Sequence, residues 1–145
     1  MPLAKFSVKA ESKNETKVNV ETPGGFKMVV DEPENQGGTN QGANPVEYVL
    51  TALAGCLNVV GHLVAKEMGF EIDSLSFEIS GKLDPAKFMG KSEKARAGYQ
   101  EINVKIDLKT EADAETINKW MEVVEKRCPV SDNLVSETPV KIEIK

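Results

Sequence analysis

The feature that most constrains the fold is a run of residues without charge from Tyr48 to Ala65. Just before it, Asn44 is a good N-cap, Pro45 suits the first helical position, and Glu47 can reach back to the cap. Gly69 favours the left-handed conformation that commonly follows a helix. The pattern therefore predicts one helix that begins at Pro45, ends just before Gly69 and is about 36 Å long at ~1.5 Å per residue.

The uncharged run approaches the length of a membrane span, which needs about 20 predominantly apolar residues. Asn58 and His62 interrupt it, however, and no Lys/Arg asymmetry flanks it. We therefore expect a helix buried on nearly every side and no membrane partner. A chain of 145 residues is too small to supply that cover alone, so we expect a homodimer with Leu53 and Val60 at its interface.

Short alternating patterns before this helix are typical of strands. They cover Phe6 to Ala10, Lys17 to Glu21 and Phe26 to Asp31, and together they predict a β-meander. The glycine-rich stretch from Glu32 to Ala43 has no apolar periodicity, so we expect a mobile loop there.

After the helix, the sequence predicts two half-buried antiparallel strands, a second helix and a final strand. Leu75 to Ile79 and Ile102 to Leu108 alternate with polar residues and are separated by a loop over 84–98. The second helix begins at the capping pair Thr110 and Asp113 and ends at Cys128, before Pro129. The final strand carries Val140, Ile142 and Ile144. The order of elements predicts a single α+β domain over residues 1–145.

Composition narrows the classes of partner. The formal net charge is -5 and no cluster of Lys and Arg is interleaved with aromatic residues, so we expect no nucleic-acid partner. One histidine and two distant cysteines give no metal-ligand spacing, and we expect no metal. The N-terminal residues lack the apolar core of a secretory signal, so we expect a cytoplasmic protein whose two cysteines are reduced.

The two cysteines have different surroundings in the sequence. Cys56 lies within the apolar helix, where a free cysteine most often behaves as a small hydrophobic residue. Cys128 lies at a helix end, and the negative end of a helix opposes thiolate formation. Cys128 is therefore a poor primary nucleophile and the better candidate for a resolving thiol.

Candidate bases for Cys56 fail on helix geometry. His62 is about 120° around the helix from Cys56 and ~9 Å along it, and Glu47 is about 180° around and ~13.5 Å along. A role for Glu47 at Cys56 would therefore require Glu47 of another subunit. A Ser/His/Asp hydrolase is disfavoured because no Gly-x-Ser-x-Gly elbow occurs, and phosphate-binding glycine motifs are absent.

Two motifs carry a family resemblance. The segment Gly42-Ala43-Asn44-Pro45-Val46-Glu47-Tyr48-Val49-Leu50-Thr51-Ala52-Leu53-Ala54-Gly55-Cys56 is followed about 70 residues later by Cys128-Pro129-Val130-Ser131. With these motifs and this order of elements, the chain resembles the OsmC/Ohr family over essentially its whole length.

The resemblance implies a fold, an assembly and two thiol roles. Members of the family form intertwined homodimers with two long helices at the centre and an active site at the subunit interface. By resemblance, Cys56 is the thiol that reacts with peroxide, Cys128 is the thiol that closes the disulfide, and Glu47 approaches Cys56 from the partner chain.

The family activates its thiolate with an arginine, because burial raises a cysteine pKa and a nearby cation lowers it. The hydroperoxide-resistance branch has an N-terminal arginine, but no arginine precedes Arg96 in this chain. The acidic residue of the hydroperoxide-resistance branch aligns with Val46, one position before Glu47 of this chain. The Pro-x-Glu spacing of this chain is more like that of the OsmC branch. Arg96 is the candidate activating cation, whereas Arg127 is more typical of a solvated surface residue.

Two functions follow as hypotheses. The first is a thiol peroxidase that reduces organic hydroperoxides in stress defence, with a lipoyl-type dithiol as reductant and no metal or organic cofactor. The second is a non-catalytic, stress-related dimer that holds a small apolar ligand between its central helices. Both need an apolar pocket at the interface, so the sequence does not separate them.

Overall fold

A computed structural model describes residues 1–145 and has the predicted α+β composition, with antiparallel sheets and three α-helices. The strands are β1 (Lys9–Ser12), β2 (Val18–Glu21), β3 (Lys27–Val30), β4 (Ser74–Leu83) and β5 (Tyr99–Lys109). The helices are α1 (Pro45–Met68), α2 (Ala114–Arg127) and α3 (Pro129–Val135), and a single 3-10 turn covers Glu34–Gln36. The predicted bounds of α1 are confirmed, and Gly69 adopts the expected left-handed conformation with φ of 77°.

The chain divides into two compact units, residues 1–49 and residues 50–145. In the first, β1, β2 and β3 form an antiparallel sheet in that order, which confirms the meander. β1 begins three residues later than predicted because its first residue, Lys9, pairs with Glu21, the last residue of β2. Residues before Lys9 therefore have no strand to pair with.

The loop after β3 was expected to be mobile, but hydrogen bonds to a buried carboxylate hold it. Asp31 has no accessible surface and accepts from the Thr16 hydroxyl at 2.7 Å, the Glu32 N–H at 2.7 Å and the Gln41 N–H at 3.2 Å. The Thr39 hydroxyl also donates to Asp31. The hydrogen bond from Thr39 is the largest cause that lowers the pKa of Asp31 far below its usual range, so the carboxylate stays ionised.

In the second unit, one face of α1 packs against α2 to form the core. The buried residues are Leu53, Leu57, Val60, Val64 and Ala65 of α1 with Trp120, Val124 and Cys128 at and after α2. Half-buried residues of the β4–β5 hairpin, among them Phe77 and Ile106, pack against this core.

Within one chain, α1 is buried on one side only. Val59 and Leu63 are 66% and 47% exposed, and Ala52 and Gly55 are exposed on the same helix. The chain is too small to cover both sides of the helix, so cover by a second subunit stays a prediction. By length and composition α1 is also the one helix that could cross a membrane, a property that core helices of soluble proteins share.

The C-terminal region differs from the sequence prediction. Asp113 caps α2 by accepting from the Thr116 N–H at 2.8 Å, as predicted. Pro129 ends α2 but also begins α3, because proline is favoured at the first position of a helix. The final strand does not form: Val140, Ile142 and Ile144 are 79%, 91% and 99% exposed, pair with no strand of the chain and do not pack against its core.

Candidate functional site

The two cysteines meet in the second unit. The Sγ atoms of Cys56 and Cys128 are 2.9 Å apart, although the residues are 72 positions apart in the chain. Both are free thiols; Cys56 is partly exposed and Cys128 is fully buried. A disulfide requires a separation of about 2.05 Å, so less than about 1 Å of movement would join them.

A close approach between α1 and α2 sets this geometry. The Trp120 indole Nε1 donates to the Gly61 carbonyl at 2.8 Å, and the Trp120 side chain is almost fully buried. A Cβ at Gly61 would lie 3.0 Å from Cζ2 of Trp120, which is tighter than most real contacts. The absence of a side chain at Gly61 therefore lets α2 pack close to the segment of α1 that carries Cys56.

A second contact joins α1 and α2 at the surface. The Arg127 guanidinium makes a two-pronged ion pair with Glu67, with Nη2 and Oε1 3.1 Å apart. The hydrogen bond from Arg127 lowers the pKa of Glu67, and Glu67 raises the pKa of Arg127. Arg127 was expected to be a solvated surface residue; it is half-exposed but tied to Glu67, and it directly precedes Cys128.

The surroundings of Cys56 hold it mainly as a thiol. Burial is the largest cause that raises its pKa, and hydrogen bonding with Cys128 raises it further. The backbone N–H of Val130 acts in the opposite direction by donating to the sulfur. A thiolate at Cys56 is therefore disfavoured but has one backbone donor ready to stabilise it.

Cys128 lies at the start of α3 as well as at the end of α2. Its N–H donates to the Val124 carbonyl at 3.1 Å, which completes α2. Its Sγ accepts from the Ser131 N–H at 3.4 Å and caps the start of α3. The same residue thus ends one helix and begins another, so donors at the start of α3 face both sulfurs. These donors were not predicted from the sequence, although Pro129, one residue after Cys128, was the signal for a new helix.

Neither Glu47 nor Arg96 is among the groups that shift the pKa of Cys56. Glu47 makes the predicted capping box, in which its Oε2 accepts from the Asn44 N–H and its own N–H donates to Asn44 Oδ1, both at 2.9 Å. Arg96 is exposed in the β4–β5 loop and is not among the groups that shift the pKa of Cys56. Their roles at Cys56 stay predictions. His62 is exposed on α1.

No group of three or more His, Cys, Asp or Glu residues that could hold a metal ion is found in the structure. The local chemistry consists of two neighbouring thiols, two backbone N–H donors and an apolar core. That set can form and break a disulfide, and can accept an oxygen atom on the exposed sulfur.

Comparison with known proteins gives a family match. A family model described as OsmC-like protein matches residues 38–145, which include both cysteines and the helix between Pro45 and Met68. A comparison with curated proteins gives no match.

Solved structures have a similar fold. An OsmC-like protein from Mycoplasma pneumoniae has a TM-score of 0.78 at 21% identity, over 90% of this chain and 87% of that one. An organic hydroperoxide resistance protein OsmC from Legionella pneumophila has a TM-score of 0.71 at 18% identity, over 93% and 92%. The organic hydroperoxide resistance protein OhrB of Bacillus subtilis has a TM-score of 0.61 at 22% identity, over 99% and 100%. At these identities the likeness shows the fold.

Proposed function

The chain belongs to the family of OsmC-like proteins, and from that premise we propose that it is a cysteine-based peroxidase that reduces organic hydroperoxides. The observation that carries the proposal is the 2.9 Å separation between the Sγ atoms of two free cysteines. The hydroperoxide-resistance proteins from Legionella pneumophila and Bacillus subtilis, which have the same fold, support the choice of substrate class.

The reaction has three balanced steps. The Cys56 thiol first loses its proton to water, and the thiolate attacks the terminal oxygen of the hydroperoxide. The O–O bond breaks, the leaving alkoxide takes up a proton from water, and the products are an alcohol and the Cys56 sulfenic acid. The Cys128 thiol then attacks that sulfur, which forms the disulfide and releases water. A lipoyl-type dithiol finally reduces the disulfide and becomes a disulfide itself. No metal or organic cofactor takes part.

Access supports the division of labour between the thiols. Cys128 has no accessible surface, whereas Cys56 is partly exposed, so a peroxide can reach only Cys56 without a change in the chain. The core beside Cys56 is aliphatic, with Leu53, Leu57 and Val60 among its members. Burial of apolar surface favours binding by ~25 cal/mol per Å², so bulky apolar hydroperoxides should be preferred over hydrogen peroxide.

A turnover assay tests the proposal. With dihydrolipoate as reductant, the protein should consume cumene hydroperoxide catalytically. Because the pKa of Cys56 is raised, the thiolate fraction and the initial rate should both increase as the pH rises past the ordinary thiol pKa of about 8.5. No consumption at any pH with any dithiol would contradict the proposal and favour the alternative, a dimer that only binds an apolar ligand.

The same proposal includes a homodimer, which would cover the outer face of α1. This face, formed by Ala52, Gly55, Val59 and Leu63, is apolar and exposed in the single chain. Cover by a second α1 would remove apolar surface from water, and it would bring Glu47 of the partner subunit closer to Cys56, as the family resemblance implies.

Val59→Glu is expected to shift the protein from dimer to monomer, because it would place an unpaired charge in the interface. The measurement is the mass by light scattering at micromolar concentration, with Asn118→Glu on α2 as a control of equal charge. Leu53 and Val60, which were expected at the interface, are unsuitable positions for this test because both side chains belong to the core of the chain itself. A monomeric wild type, or an unchanged dimer in Val59→Glu, would contradict the proposal.

A further inference from the structure

The loop that joins β4 to β5 exposes two large apolar side chains side by side. We call residues Asp84–Gly98 the hairpin tip. Within it, Phe88 is 84% exposed and Met89 is 55% exposed. Neither side chain belongs to the hydrophobic core, and the thiol chemistry does not use them.

Hydrogen bonds within the hairpin tip hold this region in a defined conformation. Asp84 Oδ1 accepts from the Ala86 N–H at 2.9 Å, the Met89 N–H donates to the Pro85 carbonyl at 2.9 Å, and the Lys91 N–H donates to the Ala86 carbonyl at 2.8 Å. The backbone on both sides of Phe88 is therefore fixed. The exposure of the apolar pair is a property of an ordered turn.

The hairpin tip is positively charged in an acidic chain. It contains four cations and two carboxylates, a net charge of +2, whereas the whole chain has a net charge of -5. Glu93 is engaged by Lys87, whose Nζ lies 3.8 Å from Oε2 of Glu93 and donates to its carbonyl at 2.7 Å. Lys91, Lys94 and Arg96 are exposed and make no ion pair within the chain.

We propose that the hairpin tip docks on an anionic lipid bilayer. Phe88 and Met89 enter the boundary between headgroups and acyl chains, and Lys91, Lys94 and Arg96 contact anionic headgroups. Aromatic and aliphatic side chains next to Lys and Arg are the combination that binds membrane surfaces, since apolar burial and electrostatic attraction act together. The acidic remainder of the chain would be repelled, which orients the molecule with the hairpin tip toward the lipid.

The chemistry of the hairpin tip fits lipid better than other partners. The core of a protein–protein interface is depleted in charged residues, whereas Phe88 and Met89 are flanked in sequence by cations. Single-stranded nucleic acid is bound by successive aromatic side chains along a basic groove, and the hairpin tip has one aromatic residue, Phe88. Contact with a bilayer surface, by contrast, requires only that a few apolar side chains enter the headgroup region. The inference departs from the expectation of no membrane partner, which rested on the uncharged run in α1.

Co-sedimentation with vesicles tests the proposal on the full-length protein. Wild type should sediment with vesicles of equimolar phosphatidylcholine and phosphatidylglycerol, far less with phosphatidylcholine alone, and less at high salt. The double variants Phe88→Ser/Met89→Ser and Lys91→Gln/Lys94→Gln should each weaken binding by more than about tenfold. Phe26→Ser, which removes an equally exposed aromatic side chain in the β2–β3 turn, should bind like wild type.

Three outcomes would overturn the proposal: no binding of wild type to either vesicle, equal binding to both, or unchanged binding of both double variants. A fourth contradicting outcome would come from light scattering without lipid. If Phe88→Ser/Met89→Ser had a smaller mass than wild type, the two side chains would belong to a contact with a second copy of the chain. The hairpin tip does not include Cys56 or Cys128, so the proposal is independent of the thiol chemistry. Cys56→Ser should therefore still bind anionic vesicles.

Discussion

Replacing Cys56 by serine is expected to abolish the consumption of organic hydroperoxide, whereas Cys128→Ser should consume one equivalent and then stop. The reason is the order of the steps. Cys56 is the partly exposed thiol that a peroxide can reach, and Cys128, buried 2.9 Å away, acts only after the sulfenic acid has formed. Without Cys128, the sulfenic acid has no thiol partner within the chain and should persist, about 16 Da heavier than the starting protein.

The measurement is the number of peroxide equivalents consumed by each reduced variant before and after a dithiol is added. Both variants should melt near the temperature of wild type, because serine differs from cysteine by one atom; this check separates loss of chemistry from loss of folding. Full turnover in both single variants would contradict the assigned roles. A one-equivalent reaction in Cys56→Ser but none in Cys128→Ser would reverse them.

Trp120→Ala is expected to cause the largest loss of stability of any single core substitution. Trp120 is 2% exposed, donates a hydrogen bond to Gly61, and packs edge-on against Phe70 with ring centroids 6.5 Å apart. Truncation of a buried tryptophan typically costs about 3–5 kcal/mol, against a total free energy of unfolding of about 5–15 kcal/mol for most domains. Urea denaturation should therefore show a markedly lower midpoint.

Matched variants separate the two contributions of Trp120. Trp120→Phe keeps an aromatic ring but loses the N–H donor, so it should cost less than Trp120→Ala; the lost hydrogen bond alone is about 1 kcal/mol. Lys119→Ala, at the exposed neighbouring position, should unfold near wild type. A wild-type midpoint for Trp120→Ala would contradict the packing of α2 against α1 at Gly61.

Local signals explain why much of the fold was predictable from the sequence. The bounds of α1 follow from Asn44, Pro45 and Glu47 at its start and Gly69 after its end, and each acts within one turn of the helix. Asp113 identifies the start of α2 in the same way. These features need no information about distant residues, so a single sequence contains them.

Features that depend on residues far away in the sequence were not predictable. The alternation of Val140, Ile142 and Ile144 indicates a strand, but pairing also requires a neighbouring strand to meet these residues, and no local pattern shows whether one does. The apolar composition of α1 does not reveal which of its faces the chain itself covers, so Leu53 and Val60 were assigned to the subunit interface although they belong to the core of the chain. Exposure of Phe88 in the hairpin tip is likewise a result of tertiary structure.

The candidate site was predictable only in part. The pairing of Cys56 with Cys128 came from family resemblance, because two cysteines far apart in sequence have no local signal that they meet. Glu67, as the partner of Arg127, could not be inferred because their ion pair joins different helices. Arg96 was named because the family resemblance implies an arginine beside the reactive thiol. Its contact with Cys56 stays a prediction.

One titration tests directly whether a hydroperoxide oxidises Cys56 and Cys128 to a disulfide. Reduced wild type is treated with one equivalent of cumene hydroperoxide, and the product is analysed by intact mass and by peptide mapping after the remaining thiols are blocked. We expect a loss of about 2 Da and a peptide that joins Cys56 to Cys128 through a disulfide. An unchanged mass, with both cysteines still free to be blocked, would contradict it.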